Sequence, residues 1–170
     1  NAIEQLPVVW DSAKNHQVFD EWGNSWIDFT STIFVTNSGH ANDYVLKRLQ
    51  DCMDKPLLHS YYYPTRIRAG FLEKLINATP GYLEKVILLS AGTEATERAI
   101  KISRIHGESI QEGKNIIIGG DGNYHGKTMG AQMVGGQHAD KEWIGYLDPN
   151  MAHIPFPYPW VLEEFGGTGE

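Results

Sequence analysis

Apolar residues follow two different periods along the first half of the chain. Short runs rich in aromatic and β-branched residues flank a polar turn, and they predict a β-hairpin over residues 17–28. Apolar residues at helical spacing follow over residues 42–54 and again over residues 69–77, and each stretch ends shortly before a proline. The first half of the chain is therefore predicted to contain antiparallel strands followed by two amphipathic helices.

The pattern changes at Lys85, where the first of two almost continuous apolar runs begins. Residues 85–89 and 115–118 are predicted to be strands that are covered on both faces. Residues 94–106 between them have helical spacing, with acidic residues in the first turn, basic residues toward the end and Gly107 as the expected stop. We predict an α/β fold in which this strand–helix–strand unit makes a right-handed parallel crossover.

The segments after the second predicted strand differ from those before it. Glycine-rich residues 119–122 are expected to end that strand. From residue 153 onward, prolines alternate with aromatic residues, so this segment is expected to be extended but not a central strand. The chain starts at Asn1 and stops at Glu170 without a finished core, so we expect a piece of a longer protein. A short native chain with a loose tail is the alternative.

Composition narrows the classes of function. The 170 residues are 41% hydrophobic and 21% charged, which is typical of a globular protein, and no apolar run approaches the roughly 18 residues that a membrane span needs. Fourteen basic residues against 21 acidic ones give a net charge of −7, which argues against general nucleic-acid binding. Cys52 is the single cysteine, and the seven histidines follow no metal-binding spacing, so no disulfide and no metal site are predicted. With no leader visible, we expect a cytoplasmic protein.

The junction before the predicted helix is a candidate anion site. Residues 90–93 (SAGT) connect the first buried strand to this helix. A helix N-terminus offers unpaired N–H groups and a positive dipole end, and the carboxyl ends of parallel strands are where ligands bind. Gly92 lets the backbone come close to a ligand, and Thr93 adds a hydroxyl group. A simple threonine N-cap after a glycine turn is the alternative interpretation of the same residues.

The segment after the second predicted strand is a candidate for contact with a planar ligand. Residues 121–128 (DGNYHGKT) nearly match a nucleotide P-loop, but Asp121 replaces its first glycine, and Tyr124 and His125 would crowd the phosphate. A better fit is that Tyr124 and His125 present an aromatic face to a flat cofactor. The alternative is a core tyrosine with a hydrogen-bonded histidine beside it.

Both candidate sites together resemble the class III pyridoxal-phosphate aminotransferases. Residues 90–101 (SAGTEATERAIK) are similar to the family's Ser-Gly-Thr-Glu-Ala-Asn-Glu-x-Ala-x-Lys segment. Residues 124–131 (YHGKTMGA) are similar to its [Phe/Tyr]-His-Gly-Arg-Thr-x-Gly-Ala segment. Residues 20–40 follow the family's Asp-x-x-Gly-x-x-x-[Ile/Leu]-Asp-Phe-x-x-Gly-Ile-x-Val-x-x-x-Gly-His stretch, although Thr32 stands where the family usually has glycine. The resemblance spans essentially the whole chain.

The resemblance implies a fold type I transferase and a set of site residues. Residues 1–40 would be an N-terminal small-domain segment, and residues 41–170 the first part of the large, mostly parallel-sheet domain that binds the cofactor. Gly92 and Thr93 would bind the phosphate of pyridoxal 5'-phosphate. Three further site residues are implied: the ring-stacking Tyr124, its neighbour His125 and, in the substrate pocket, Ile33.

The resemblance also implies what these residues lack. In the family, the Schiff-base Lys and the Asp that pairs with the pyridine nitrogen lie downstream of these motifs. None of the nine lysines here stands in that context, so no catalytic residue is predicted in this chain. We expect a longer parent to transfer an amino group between an amine or amino acid and a keto acid.

Several alternatives and details stay open. A class III aminomutase, racemase or decarboxylase would share the cofactor pocket, and a non-catalytic paralogue or fragment would act as a binding module. The family is dimeric with sites at the subunit interface, so a homodimer is implied. Residues 61–63 (YYY) are interpreted as a plug in the core or at that subunit contact. The amine donor is not predicted, because much of the substrate pocket would lie elsewhere.

Overall fold

The computed structural model describes residues 8–55, 57, 59–156, 158, 164 and 166. The chain divides into two compact units, Asn1–Leu75 and Ile76–Glu170. The domain boundary after residue 40 that the resemblance implies stays a prediction. None of the helices in the part of the chain that the structure describes is long and apolar enough to cross a membrane.

The first unit contains a three-stranded antiparallel sheet. Its strands β1 (Ser12–Lys14), β2 (Gln17–Phe19) and β3 (Ser25–Ile27) lie in that order, with Val18 opposite Ala13 on one side and Trp26 on the other. The side chain of Val18 is 1% exposed and forms the centre of this small core. The predicted hairpin over residues 17–28 is confirmed, and β1 extends it by one strand.

A single helical turn after the sheet has the opposite hand from an ordinary helix. The turn α1 (Ser31–Phe34) has φ angles of 49°, 53°, 58° and 65° in its four residues. Left-handed backbone costs an L-residue about 1–2 kcal/mol, and β-branched residues such as Thr32 and Ile33 rarely adopt it. A glycine would adopt this conformation without that cost, which is a physical reason for the family's glycine at the position of Thr32.

Two helices follow in the positions that the apolar spacing predicts. Helix α2 (Asp43–Met53) begins after Asn42, whose side chain accepts hydrogen bonds from the N–H groups of Tyr44 and Val45 at 3.1 and 3.2 Å. Helix α3 (Arg66–Asn77) begins three residues earlier than expected. The hydroxyl of Thr65 accepts from the N–H of Arg68 at 3.2 Å and so caps that earlier start.

The second unit is built around a long helix and a parallel strand pair. Helix α4 (Gly92–Ile110) precedes β4 (Ile117–Gly120), and β5 (Met151–Ile154) pairs with β4 in parallel. Between these two strands lie the short helix α5 (Met129–Val134) and a 3-10 turn over Ala139–Ile144. The core of this unit consists of buried side chains on α5 and the 3-10 turn: Ala131, Met133, Val134 and Ile144.

Helix α4 extends beyond its predicted end. Gly107 was expected to stop the helix, but the N–H of Gln111 donates to the Gly107 carbonyl at 3.0 Å and the helix continues to Ile110. Within the last two turns of the same helix, Arg104 donates to the carbonyl of Asn115 at 3.1 Å and to a carboxylate oxygen of Asp148 at 2.8 Å. These two bonds anchor the helix to the segments that lead into β4 and β5.

The strand–helix–strand prediction is wrong in two respects. Residues 85–89 form no strand, because an apolar run specifies burial but not a hydrogen-bonding partner, and β4 pairs with β5 instead. The second strand starts at Ile117 rather than Asn115 and runs through the glycines that were expected to end it. Gly119 lies so close to the carbonyl of Val134 that a side chain would not fit there, which explains a glycine inside the strand.

The chain exposes much more surface than a compact monomer of its size. Its accessible surface is 14195 Å². The size scaling of compact proteins gives about 8,400 Å² for 19 kDa, and the unfolded chain would expose about 28,000 Å². Apolar side chains on the runs that were predicted to be buried stay open, with Ile87 53%, Ile116 62% and Ile118 63% exposed. The strands expected to be covered on both faces are therefore not covered by the described residues.

Candidate functional site

The N-terminus of α4 presents free backbone donors. Ala91 is extended, with φ −147° and ψ 161°, and the first helical hydrogen bond runs from the N–H of Ala95 to the Ala91 carbonyl at 3.0 Å. The N–H groups of Gly92 and Thr93 therefore have no acceptor within the helix. The carboxylate of Glu94 turns back and accepts from the N–H groups of Ser90 and Ala91 at 2.8 and 3.2 Å. Donors and the positive end of the helix dipole coincide at this point.

The segment with Tyr124 and His125 packs directly on this helix end. Gly126 has a φ of 123°, and a Cβ placed on it would lie 2.9 Å from the Cα of Thr93 and closer still to its side chain. No residue other than glycine fits this contact. The hydroxyl of Thr96 donates to the carbonyl of His125 at 3.0 Å and fixes the segment one turn further along the helix.

A hydrogen-bonded network joins the same helix to the start of α5. The hydroxyls of Thr93 and Thr128 are 2.8 Å apart, and Thr128 donates its hydroxyl proton to Oε1 of Glu97 at 2.5 Å. The same carboxylate oxygen accepts from the N–H groups of Gly130 and Ala131 at 2.9 and 3.2 Å. Because Thr128 gives its proton to Glu97, the hydroxyl of Thr93 donates to Thr128. The backbone amides of α4 are then the donors left for a bound anion.

Four of the five predicted site residues lie around one cavity. Gly92, Thr93, Tyr124 and His125 contribute to an open cavity of about 580 Å³. Tyr124 is 61% exposed at this cavity, so its ring is open to a ligand. The volume falls within the range of roughly 300–1,000 Å³ typical of small-molecule sites.

The chemistry of the cavity fits an aromatic ligand that carries a phosphate. Free amides and the ammonium group of Lys127 suit an anion, and the ring of Tyr124 suits a flat ring. The nearby carboxylates of Glu94 and Glu97 accept hydrogen bonds from other donors, so they do not compete with an anion for the N–H groups of Gly92 and Thr93. The residues present therefore fit a phosphorylated pyridine.

Three contributors to this site were not singled out from the sequence. Thr96, Glu97 and Thr128 hold the two segments together. Their partners lie 29 to 34 residues away along the chain, and spacing within one element gives no sign of such pairs. The i, i+4 placement of Thr93 and Glu97 on one helix face was the available signal.

Ile33 lies in the other unit, and its predicted place in a substrate pocket stays a prediction. It is the third residue of the left-handed turn α1, and its side chain is 77% exposed. Elsewhere in the described ranges, no group of three or more His, Cys, Asp or Glu side chains is placed to hold a metal ion.

Comparisons with known proteins give one consistent result. A family model described as aminotransferase class-III matches residues 1–168. Ornithine aminotransferase of Saccharomyces cerevisiae is 34% identical over 151 residues, which cover 86% of this chain and 35% of that protein. Acetylornithine aminotransferase of Bacillus cereus is 33% identical over 148 residues, which cover 87% of this chain and 36% of that protein. The chain thus spans about a third of the length of these curated relatives.

Solved structures show the same fold. A taurine:2-oxoglutarate aminotransferase from Bifidobacterium kashiwanohense, in complex with PLP and glutamate, superposes with a TM-score of 0.80 at 22% identity. The match covers 94% of this chain and 34% of that one. The architecture of a fold type I transferase is therefore present in the chain, as the resemblance implies.

Proposed function

Because the chain belongs to the class III aminotransferase family, we propose that the whole protein transfers an amino group between an amine or amino acid and a keto acid. Class III aminotransferases use pyridoxal phosphate. The observation that carries the proposal is the cavity of about 580 Å³ to which Gly92, Thr93, Tyr124 and His125 all contribute. When bound, the cofactor supplies an electron sink and carries the amino group between the two substrates.

The phosphate end of the site would rest on α4. The N–H groups of Gly92 and Thr93 donate to phosphate oxygens, and the helix dipole favours the negative charge. Gly92 suits this role because a Cβ placed on it meets no atom within 4 Å, so that the space in front of the backbone is open. Thr93 contributes its amide, while its hydroxyl supports the neighbouring loop through Thr128.

The ring end of the site would rest on the loop at Gly126. Tyr124 stacks on the pyridine ring, which contributes about 0.5–1.5 kcal/mol beyond the burial of apolar area. His125 fixes the ring's position from the side, and the bond between its carbonyl and Thr96 holds it in place. The proton-moving lysine and the partner of the ring nitrogen are supplied by other parts of the whole protein.

The proposal is tested by replacing the glycine at the phosphate. Gly92→Val puts a branched side chain where the phosphate should approach, and the loss of one charge-assisted hydrogen bond weakens cofactor binding about tenfold or more. Gly81→Val is the matched control, because Gly81 also has open space around it but lies in a turn outside the cavity. Cofactor affinity is measured by titration of the purified whole protein.

Activity assays separate the reaction classes. We expect the whole protein with a donor such as ornithine and with 2-oxoglutarate to give glutamate. Racemised donor, carbon dioxide or a shifted amino group would indicate a class III racemase, decarboxylase or aminomutase instead. Tight cofactor binding without any of these products would indicate a binding protein, and equal cofactor affinity in the Gly92 variant, the Gly81 variant and the wild type would refute the site.

We also propose a homodimer that uses the tyrosine segment Tyr61–Tyr63. These rings are 97%, 85% and 76% exposed, so the described residues of this chain leave them open to a partner. Exposed aromatic clusters are typical of protein contacts. We expect sedimentation to give the mass of a dimer. The double variant Tyr61→Ser with Tyr62→Ser should weaken the dimer, whereas Tyr82→Ser, at an exposed site in the other unit, should not.

A cytoplasmic location is proposed as well, since a single cysteine suits a reducing compartment.

A further inference from the structure

The carboxylate of Asp28 is the centre of a local network that no step of the proposed reaction uses. Oδ1 accepts from the N–H and hydroxyl of Thr30 at 3.1 and 2.9 Å. Oδ2 accepts from the N–H and hydroxyl of Thr32 at 2.8 and 3.2 Å and is 2.8 Å from Nε2 of His40. The side chain of Asp28 is 3% exposed and that of His40 11%. All the acceptor capacity of this buried carboxylate is thus directed to one short segment and one histidine.

The charge on Asp28 is stable over the physiological pH range. The hydrogen bond with His40 is the main cause, and the bonds from Thr30 and Thr32 add to it against the opposing effect of burial, so that the pKa of Asp28 is lowered to about 2. An ionised carboxylate makes stronger hydrogen bonds than a neutral acid. The backbone of His40 is itself fixed by two hydrogen bonds with Asn15. The Asn15 N–H donates to the His40 carbonyl at 2.9 Å, and the His40 N–H donates to the Asn15 carbonyl at 2.7 Å.

The segment that Asp28 holds is the left-handed turn α1. Its hydrogen bonds from the N–H of Phe34 to the Thr30 carbonyl and from the N–H of Val35 to the Ser31 carbonyl measure 2.8 and 2.9 Å. Consecutive non-glycine residues in this conformation persist only where the surroundings hold them. Asp28 provides that hold, because it binds the donors at the amino end of the turn.

The turn presents apolar side chains to the outside. Ile33, Phe34 and Val35 are 77%, 78% and 76% exposed. Ile33 and Phe34 lie on left-handed backbone, and the described residues of their unit leave all three side chains uncovered. Because a right-handed backbone would direct these side chains elsewhere, the hand of the turn decides which surface they form.

We propose that Asp28 is a positioning residue that, together with His40, keeps the turn Ser31–Phe34 left-handed so that Ile33 and Phe34 shape the substrate pocket. This proposal rests on the proposed function and on the place in the substrate pocket that the resemblance implies for Ile33. Asp28 touches neither substrate nor cofactor and acts through the turn. The identity of the accepted amine then depends on the geometry that Asp28 imposes.

Thr32 provides the internal test of this proposal. A glycine at this position adopts a left-handed backbone freely, so Thr32→Gly should reduce the dependence of the turn on Asp28. Asp28→Asn alone should loosen the turn, and the double variant should recover much of the wild-type behaviour. A purely structural role of Asp28 in the adjoining sheet would show no such rescue.

Asp20→Asn is the matched control. The Asp20 carboxylate accepts from the N–H groups of Trp22 and Asn24 at 3.0 and 2.8 Å, which is the same spacing along the chain as at Asp28. Its side chain is also buried, but its turn carries a glycine, Gly23, at the positive φ of 85°. Asp20→Asn therefore tests the loss of a buried turn carboxylate without a strained turn.

The first measurement is hydrogen exchange over residues 28–36 in the cofactor-free whole protein. We expect faster exchange of the Phe34 and Val35 amides in the Asp28→Asn variant, recovery in the double variant and no change in the Asp20 control. Unchanged exchange in the Asp28 variant would overturn the proposal. If Asp28→Asn does not fold, the single variant Thr32→Gly is measured instead, because glycine keeps the left-handed turn. The Phe34 and Val35 amides of this variant should exchange no faster than those of the wild type.

The second measurement compares kcat/KM for a long donor, ornithine, and a short one, alanine, in the cofactor-loaded whole protein. We expect the ratio of the kcat/KM values for ornithine and alanine to change about tenfold or more in Asp28→Asn. A misplaced positioning group can cost roughly 100-fold, and we expect the change here to fall mainly on KM. Asp20→Asn should leave the ratio unchanged. An active wild type with the same ratio in the Asp28 variant would refute the positioning role alone, whereas a wild type inactive with every donor would refute the proposed function.

Discussion

Two carboxylates organise the two units of this chain, and they act over different distances along the sequence. Asp28 binds groups that lie two to twelve residues away, all in the first unit. Glu97 binds groups 31 to 34 residues away, and so connects α4 to the start of α5 in the second unit. One carboxylate holds a strained local turn, and the other holds two separate segments in contact.

The difference determines what each carboxylate contributes to stability. Removal of Asp28 also releases the backbone strain of α1, so that part of the lost hydrogen-bond energy is recovered. Glu97 holds ordinary backbone, and its loss leaves the donors of Gly130 and Ala131 without their acceptor and no strain to release. The three hydrogen bonds at Glu97 therefore carry a larger net free energy than the five at Asp28.

The largest effect is expected for Glu97→Ala. Loss of the acceptor for one hydroxyl and two amides should lower the free energy of unfolding of the cofactor-free protein by roughly 3 kcal/mol. Asp28→Ala should lower it by less, about 1–2 kcal/mol, because the strain of the left-handed turn is released. Denaturant unfolding of both variants measures the difference. Lys101→Ala, at an exposed position in the middle of α4, is the control for helix effects. An equal or larger loss at Asp28 would contradict the comparison.

The effect of Tyr124 should fall on the cofactor and not on the fold. Because its ring is 61% exposed, Tyr124→Ala should leave the cofactor-free protein nearly as stable as the wild type. Loss of stacking and apolar contact should weaken cofactor affinity by roughly 1–3 kcal/mol, and Tyr124→Phe should be nearly silent. Thermal melts with and without cofactor separate the two effects. A loss of roughly 3–5 kcal/mol without cofactor is what a core tyrosine would give.

The pH dependence of stability tests the hydrogen bonds of the Asp28 carboxylate. Its pKa is lowered from 3.8 to about 2 in the folded state, so the unfolded chain binds the proton more readily. The stabilisation is therefore complete above about pH 4 and is lost as the pH falls toward 2. Unfolding curves between these values should be steeper in pH for the wild type than for Asp28→Asn. Parallel curves would show that the folded and unfolded pKa values of Asp28 do not differ.

The smallest expected effect is on covalent labelling of the chain expressed alone. We predict that these 170 residues transfer no amino group and give no reduced-cofactor adduct on one specific lysine after borohydride treatment. Lys141 is the most demanding case, because it is 5% exposed, burial lowers its pKa, and its Nζ lies 3.0 Å from Nε2 of His153. Mass spectrometry that found the adduct on one lysine alone would contradict the prediction, whereas scattered weak labelling would not.

Local patterns predicted the elements that depend on neighbours in the sequence. The hairpin and helix α2 follow from alternation, helical spacing and the cap at Asn42, all of which lie within the element itself. The missing strand over residues 85–89 shows the limit, since a strand exists only with a partner, and hydrophobic pattern does not name one. The sequence also did not predict the left-handed conformation of α1, because Ser31–Phe34 contains no glycine, the residue that usually indicates a positive φ.

The candidate site divides in the same way. Local sequence singled out Gly92 and Tyr124 as candidates, the resemblance assigned their roles, and the structure brings them to one cavity. The contact that joins their segments, Gly126 against Thr93, depends on packing between elements that sequence spacing does not reveal. The placement of Asp28 two residues before Thr30 was a local signal for a turn closed by the aspartate side chain. Its role in holding a strained turn became visible only from the backbone angles of residues 31–34.

The open surface of the chain has a consequence for how it would unfold by itself. Both the denaturant dependence of unfolding and its heat capacity change scale with the area that becomes newly hydrated. With 14195 Å² already in contact with water, only about half of the unfolded chain's surface is left to expose, against roughly two thirds or more for a compact protein of this length. Unfolding of the chain alone should therefore show a denaturant slope and a heat capacity change about 30% smaller than those of a compact protein of this length, and a broader thermal transition.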